Sequence, residues 1–200
     1  MPHKRFLLAL LASLAAPSPT MAEQLPAATG WHTWRSAAIE GGASGCCYRW
    51  SSGNSAQGTC RLTDDGMETA ETMPSIAMPS GRPTNEIQVF ARLSKGEIVA
   101  AQALSTNCPV EVEVDVELED LGKVEANTSI RWLSAAYRDG RDPDDHLLQV
   151  LSQHRGGDGA LIRLIENQEL EDSERKAALF WLANTASDSA VAWFDDVLGE

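Results

Sequence analysis

The 200-residue sequence lacks several patterns that would indicate a chemical activity. It has no C-x-x-C pair, which thioredoxin-like redox sites and most structural zinc sites contain. It has no G-x-S-x-G or comparable nucleophile motif, so no residue pattern indicates a hydrolase. Beyond Ala22 it has no apolar run near the length of about 20 residues that a transmembrane helix requires. The sequence therefore predicts a protein that is not an enzyme, uses no cofactor or metal, and does not insert into a membrane.

Positive charge is also scarce. Lysine and arginine number 16 against 29 aspartates and glutamates, which gives a formal net charge of −13. An excess of this sign repels the phosphates of nucleic acids and anionic lipid surfaces, and it keeps an exported protein soluble. We therefore expect no nucleic-acid partner.

The first 22 residues have the layout of a secretory signal peptide. A basic start that includes Lys4 and Arg5 precedes an apolar run from Phe6 to Ala16, and small residues follow up to Ala22. The apolar run is too short to span a bilayer. The pattern predicts cleavage after Ala22, with Ala16 as an upstream alternative, and a mature protein that is periplasmic or secreted.

The four cysteines are Cys46, Cys47, Cys60 and Cys108. In an oxidising compartment an even number of cysteines predicts disulfides. Neighbouring residues of an extended strand point to opposite faces, so Cys46 and Cys47 are expected to pair with different partners, one with Cys60 and one with Cys108. Which cysteine takes which partner stays open, and so does the alternative that Cys46 and Cys47 sense redox state or a metal.

Alternating apolar residues predict a β-rich first half. In Glu86–Leu93 every second residue is apolar, Ser94–Glu97 has the composition of a tight turn, and Glu97–Leu104 can return as an antiparallel strand. Together with a strand expected near Trp31–Ile39, this predicts a small antiparallel β domain.

The segment Val110–Leu118 alternates valine or leucine with an acid at every position. This pattern predicts one continuous strand with an apolar face and an acidic face. The acidic face is interpreted as a solvated edge that discourages aggregation, and the alternative is a surface for calcium or a cationic ligand. Its acids are Glu111, Glu113, Asp115 and Glu117.

From about Glu125 the apolar period changes from two to three or four, which predicts helices. The first stripe is Ile130, Leu133 and Tyr137, and the next includes Leu147 and Leu151. Two later segments repeat the layout of an apolar helix, a polar turn and an amphipathic helix, which indicates stacked helix pairs. The predicted organisation is a signal peptide (1–22), a disulfide-linked β-rich domain (23–122) and a helical repeat domain (123–200).

The text R-K-A-A-L-F-W-L-A at 175–183, followed by a polar turn and a second helix, resembles the short HEAT-like repeats of exported bacterial proteins. The order of the cysteines, the hairpin and the R-W-L helix before it is similar to that of secreted HEAT-repeat domain proteins of Gram-negative bacteria. The resemblance implies an α+β fold in which a disulfide-linked antiparallel β domain caps about two helix pairs. It implies no catalytic residue.

Two tryptophans of the helical half lie off the main apolar stripes. Trp132 and Trp193 are therefore expected to be exposed, and exposed tryptophans often anchor interfaces. The sequence predicts an exported module that binds a protein partner without catalysis, and its oligomeric state stays open.

Overall fold

A computed structural model describes residues 25–39, 46–51, 54–57, 59–69, 84–138, 146–185 and 187–199. The predicted signal peptide lies outside these residues. Within them the fold is α+β. The strands are β1 (Gly30–Ala37), β2 (Tyr48–Ser51), β3 (Asn54–Gln57), β4 (Cys60–Leu62), β5 (Met67–Thr69), β6 (Glu86–Ser94), β7 (Glu97–Ser105), β8 (Val110–Val112) and β9 (Leu118–Lys123). The helices are α1 (Ala126–Arg138), α2 (His146–Ser152), α3 (Gly157–Glu166), α4 (Asp172–Ala183) and α5 (Asp188–Leu198).

The main sheet has the strand order β7-β6-β1-β9. Its β7-β6 and β6-β1 pairs are antiparallel, but β1 and β9 are parallel. A smaller sheet has the order β5-β4-β8, in which β4 and β8 are also parallel, while β2 and β3 form a separate hairpin. The expectation of a purely antiparallel β half is therefore wrong, because two strands that follow long connections pair in parallel.

The main sheet buries both of its faces. One face, which includes Trp34 and Val89, packs against the helices in the larger hydrophobic core. The other face, which includes Trp31 and Phe90, packs against the small sheet around Cys60 in a second core. The molecule is therefore built in three layers, with the helices and the small sheet on opposite sides of the main sheet.

The hairpin of β6 and β7 forms as the sequence predicts. Lys95 and Gly96 have φ angles of 55° and 82°, so both central residues of the turn are left-handed. This is the geometry of the two-residue turn that matches the twist of antiparallel strands, and glycine adopts it without strain.

The segment Val110–Leu118 does not form the single strand that its alternation predicts. Only Val110–Val112 pairs with β4, a turn follows, and β9 begins at Leu118 beside β1. The amide of Val116 donates to the carbonyl of Glu113 at 3.0 Å, which closes this turn. The chain has to leave the small sheet and enter the main one here, and a change of layer cannot be made by one straight strand.

The helical stripes are buried where the sequence places them. Ile130, Leu133 and Tyr137 of α1 are at most 5% exposed, and Leu147 and Leu151 of α2 are at most 1% exposed. Helices α1 and α2 lie on the main sheet, and α3 packs against α2, α4 and α5.

Backbone hydrogen bonds also tie the helical half to the end of β1. The amide of Ile39 donates to the carbonyl of Gln153 at 2.9 Å, and the amide of Arg155 donates to the carbonyl of Ala37 at 3.0 Å. One buried core thus continues from the main sheet into the helices, across the predicted boundary at residue 123.

Candidate functional site

A chain of buried hydrogen bonds joins the main sheet to the helices. The indole nitrogen of Trp34 donates to Oγ of Ser129 at 2.8 Å, and that oxygen lies 2.7 Å from Nε2 of His154. The other ring nitrogen of His154 lies 2.7 Å from the carbonyl oxygen of Val150. A carbonyl can only accept, so Nδ1 carries the proton and the Ser129 hydroxyl donates to Nε2.

Every polar group in this hydrogen-bonded network has a hydrogen-bond partner only while His154 is neutral. Burial lowers the pKa of His154 to about 4, although its hydrogen bond to the Val150 carbonyl acts in the opposite direction. A second proton on the ring would make Nε2 a donor to the Ser129 oxygen. The Ser129 hydroxyl could then no longer donate its own proton to Nε2. The network therefore holds the histidine in one tautomer.

The distance between Ser129 and His154 is that of a serine nucleophile and its general base. A substrate, however, cannot reach this pair. Ser129 and His154 are both 0% exposed. A nucleophile has to meet the reacting atom of its substrate, and this hydroxyl already donates and accepts inside the core. The geometry therefore assigns the pair to the connection between sheet and helices.

The structure pairs Cys46 with Cys108 and Cys47 with Cys60, with Cα–Cα distances of 5.5 and 5.3 Å. All four cysteines of the chain lie among the described residues, and none is free. The neighbouring cysteines thus take different partners, as predicted, and the structure supplies the assignment that the sequence left open. Both bridges lie at the small sheet, where Cys60 is fully buried.

The two tryptophans predicted to be exposed differ in their surroundings. Trp132 is 9% exposed and packs edge-on against Trp34, with ring centroids 5.6 Å apart, so the prediction of its exposure is wrong. It lies beside the stripe of α1 because the main sheet supplies a second apolar surface for that helix. Trp193 is half-buried, and its indole nitrogen donates to Glu166 at 3.1 Å.

A cleft of about 540 Å³ lies between α1 and α3. Its floor is apolar and consists of Ile130, Ala160 and Leu164, each at most 5% exposed. Polar side chains from both helices form its rim. They are Asn127, Arg131 and Ser134 of α1, Arg163 of α3, and Asn167 directly after α3.

The spacing along each helix explains why these side chains share one cleft. Asn127, Arg131 and Ser134 recur at intervals of four and three, which places them along one side of α1. Arg163 and Asn167 are four residues apart at the end of α3. The two rows flank the buried stripes that bring α1 and α3 together, so packing of the apolar residues sets the separation of the polar ones.

The charged residues described at the cleft are of the sign opposite to the net charge of the chain. Among the described residues, the lining includes Arg131 and Arg163 but no aspartate or glutamate, in a chain whose formal net charge is −13. Cleft volumes of about 300–1,000 Å³ are usual for bound ligands, and a guanidinium can hold a carboxylate by two parallel hydrogen bonds. The arrangement therefore suits an occupant with apolar and acidic side chains.

Sequence reasoning missed this cleft. A polar stripe lies beside the apolar stripe of α1 and consists of Asn127, Arg131 and Ser134. This stripe could have indicated the α1 side of the cleft. The sequence contains no indication that Arg163 lies opposite it, because that depends on how α1 and α3 pack.

A second and more acidic cavity lies beside the start of β1. It has a volume of about 310 Å³ and is lined by His32, Asp115, Glu117 and Glu119, among others. Nε2 of His32 is 3.1 Å from a carboxylate oxygen of Glu119 but lacks the alignment of a hydrogen bond. His32 is 2% exposed, and this ring nitrogen has no hydrogen-bond partner among the described residues.

In the part of the chain that the structure describes, no three histidine, cysteine, aspartate or glutamate side chains are grouped closely enough to hold a metal ion. The described titratable residues that line the acidic cavity therefore do not form such a group.

None of the described helices has the length and apolar character needed to cross a bilayer.

Comparisons of the chain with protein-family models, with curated proteins and with solved structures find no match.

Proposed function

We propose that this chain is an exported, non-catalytic module that binds a protein partner through its helical half. The observation that carries the proposal is the α1–α3 cleft, which combines a buried apolar floor with Arg131 and Arg163 on its rim. Apolar floors provide binding free energy, and charged rims select the partner.

Export is supported by two independent features. Residues 1–22 have the order of a signal peptide, and two structural disulfides are typical of proteins in an oxidising compartment. We propose a periplasmic or secreted location on this basis.

A short HEAT-like stack is the arrangement proposed for α2 to α5. Its support is the repeated layout of apolar helix, polar turn and amphipathic helix, with α3 packed against α2, α4 and α5. Asp158 of α3 strengthens this packing because it accepts hydrogen bonds from Ser187 and Ser189 at the start of α5. Such stacks commonly serve as binding surfaces.

The alternative function, redox or metal sensing by Cys46 and Cys47, gains no support from the geometry. Each of the two is engaged in a disulfide, and Cys46 is only 7% exposed. A sensing thiol has to be reachable and able to form a thiolate.

The test is quantitative capture of partners from the exported fraction of the source organism. The oxidised protein is immobilised beside the double variant Arg131→Gln/Arg163→Gln, which keeps polar side chains at both positions and removes their charge. The matched control is Lys95→Gln/Lys176→Gln, which removes two exposed positive charges elsewhere. We expect the cleft variant to lose a specific partner that the wild type and the control both retain.

Equal capture by all three proteins would contradict the proposal, since the partner would then bind elsewhere. A further variant, Trp193→Ala, tests the other predicted contact. Loss of the same partner with this variant would extend the surface to α5, and unchanged capture would confine it to the cleft.

A further inference from the structure

The turn between β8 and β9 has the chemistry that the α1–α3 cleft requires. We propose that the cleft of one copy of this chain binds the acidic turn Glu113–Glu117 of a second copy. The inference rests on the proposed function and names the partner of the same site.

The turn displays an apolar residue between acids. Val114 is 98% exposed, although valine is normally a core residue, and Val112 just before it is 41% exposed. Glu113, Asp115 and Glu117 are exposed and have no ion pair with any described residue, whereas Glu111 pairs with Arg61 at 3.4 Å. The turn thus offers one apolar side chain and three carboxylates that have no ion pair among the described residues.

The cleft offers the complement of each of these groups. Ile130, Ala160 and Leu164 form a floor that would take Val114 out of water. Arg131 and Arg163 lie on the two sides of that floor and would face the flanking carboxylates. A volume of about 540 Å³ accommodates a few side chains and not a folded domain, which matches the tip of a turn.

Within one copy, no residue of the turn is among the described residues that line the cleft. The helices pack on one face of the main sheet, and the turn begins at β8 in the small sheet on the other face. The contact would therefore join unlike surfaces of two copies. A contact of this kind leaves one cleft and one turn free at the ends, so that further copies can add.

The negative net charge of the chain opposes contact between copies, but only over a limited distance. At physiological ionic strength charges are screened over about 8 Å, so distant acids contribute little while a desolvated contact in the cleft persists. We expect association that is weak and depends on protein concentration.

The experiment is sedimentation velocity of the oxidised protein in its exported form, together with two variants of it. The cleft variant is Arg131→Gln/Arg163→Gln, and the turn variant is Glu113→Gln/Val114→Ser/Asp115→Asn. We expect the average mass of the wild type to rise with concentration beyond that of a dimer. Each variant alone should associate at least about tenfold more weakly.

Mixing the two variants gives the sharpest outcome. The cleft variant keeps its turn and the turn variant keeps its cleft, so one productive contact remains between them. We expect a one-to-one dimer that does not grow further. The control Lys95→Gln/Lys176→Gln should associate like the wild type, and circular dichroism melting curves check that all variants are folded.

A wild type that stays monomeric at the highest reachable concentration would overturn the inference, and so would association unchanged in either variant. A folded variant pair that fails to form the dimer would also overturn it. Partner capture that still depends on Arg131 and Arg163 would then preserve the proposed function, so the two failures are distinguishable.

Discussion

The hydroxyl oxygen of Ser129 lies 2.7 Å from Nε2 of His154, at a point where α1, the α2–α3 turn and β1 meet. The same hydroxyl accepts a hydrogen bond from Trp34, so one serine satisfies a group of the sheet and a group of the helices. Removing it leaves two buried polar atoms without partners.

We expect Ser129→Ala to lower the free energy of unfolding by about 3 kcal/mol, because a buried unsatisfied polar group costs about 1–3 kcal/mol. Urea denaturation of the oxidised protein measures the change. The exposed Ser173 of α4 provides the control, and Ser173→Ala should change stability by less than about 0.5 kcal/mol. An equal effect of the two substitutions would show that the buried network does not stabilise the fold.

The buried histidine makes stability depend on pH. The pKa of His154 is about 4 in the folded chain and about 6.5 when unfolded, so between these values the unfolded chain binds more protons. The contribution of neutral His154 to the free energy of unfolding is therefore complete above about pH 6.5 and declines as the pH falls toward about 4. The full decrease in the free energy of unfolding is on the order of 3 kcal/mol.

Denaturation midpoints measured between about pH 7 and pH 4 test this dependence. His154→Gln should be less stable at neutral pH but should lose most of the slope across this range. The exposed His146 supplies the control, since His146→Gln should retain the slope of the wild type. A slope unchanged in His154→Gln would assign the pH dependence to other groups.

Asp158 causes a further decrease in the free energy of unfolding at lower pH. Burial raises its pKa, but hydrogen bonds from Ser189, Ser187 and the amide of Gly159 outweigh this and leave the pKa below its usual value. Its stabilising contribution is present above the ordinary aspartate range and disappears only as the pH falls through the lowered pKa.

The two disulfides close loops of different size. Cys46 and Cys108 are separated by 62 residues, and Cys47 and Cys60 by 13. Loop-closure entropy predicts about 4 kcal/mol for the longer loop and about 3 kcal/mol for the shorter one. We therefore expect Cys46→Ala/Cys108→Ala to be less stable than Cys47→Ala/Cys60→Ala when thermal or urea unfolding is compared.

The pairing itself is checked by peptide mapping. No lysine or arginine separates Cys46 from Cys47, so trypsin leaves both on one peptide, and stepwise partial reduction with two alkylating reagents is needed to distinguish them. The structure predicts that Cys46 and Cys108 carry the same label. Shared labelling of Cys46 and Cys60 would contradict it.

The two tryptophans should separate folding from binding. Trp132→Ala removes a buried ring that packs on Trp34, and core substitutions of this kind cost about 3–5 kcal/mol. Trp193→Ala removes a half-buried ring and should cost clearly less. Thermal melts of both variants decide this, and a similar loss for the two would show that Trp193 is also part of the core.

Local patterns predicted the elements of the fold better than their arrangement. The stripe of Ile130, Leu133 and Tyr137 and the turn at Gly96 depend on neighbours in sequence, and both form as expected. The break at Glu113–Glu117 could not be predicted, because an alternating pattern does not reveal that the chain changes sheets there.

The candidate site depends on contacts between distant residues. Trp132 lies off the stripe of its own helix, and only the position of Trp34 on β1 makes it a core residue. Arg131 and Arg163 likewise belong to different helices, and their common cleft follows from the packing of α1 on α3. The alternation of residues in a strand did predict that Cys46 and Cys47 take different partners, but not which ones.

Site-specific photo-crosslinking in the exported fraction tests most directly whether the α1–α3 cleft binds a protein partner. A photoreactive amino acid replaces Asn127 or Asn167 on the rim of the cleft, and Lys95 at the β6–β7 turn in the control. We expect a discrete protein adduct from both rim positions and none from the control. The absence of an adduct at the rim, or equal adducts at all three positions, would contradict the claim that this cleft is where the protein binds its partner.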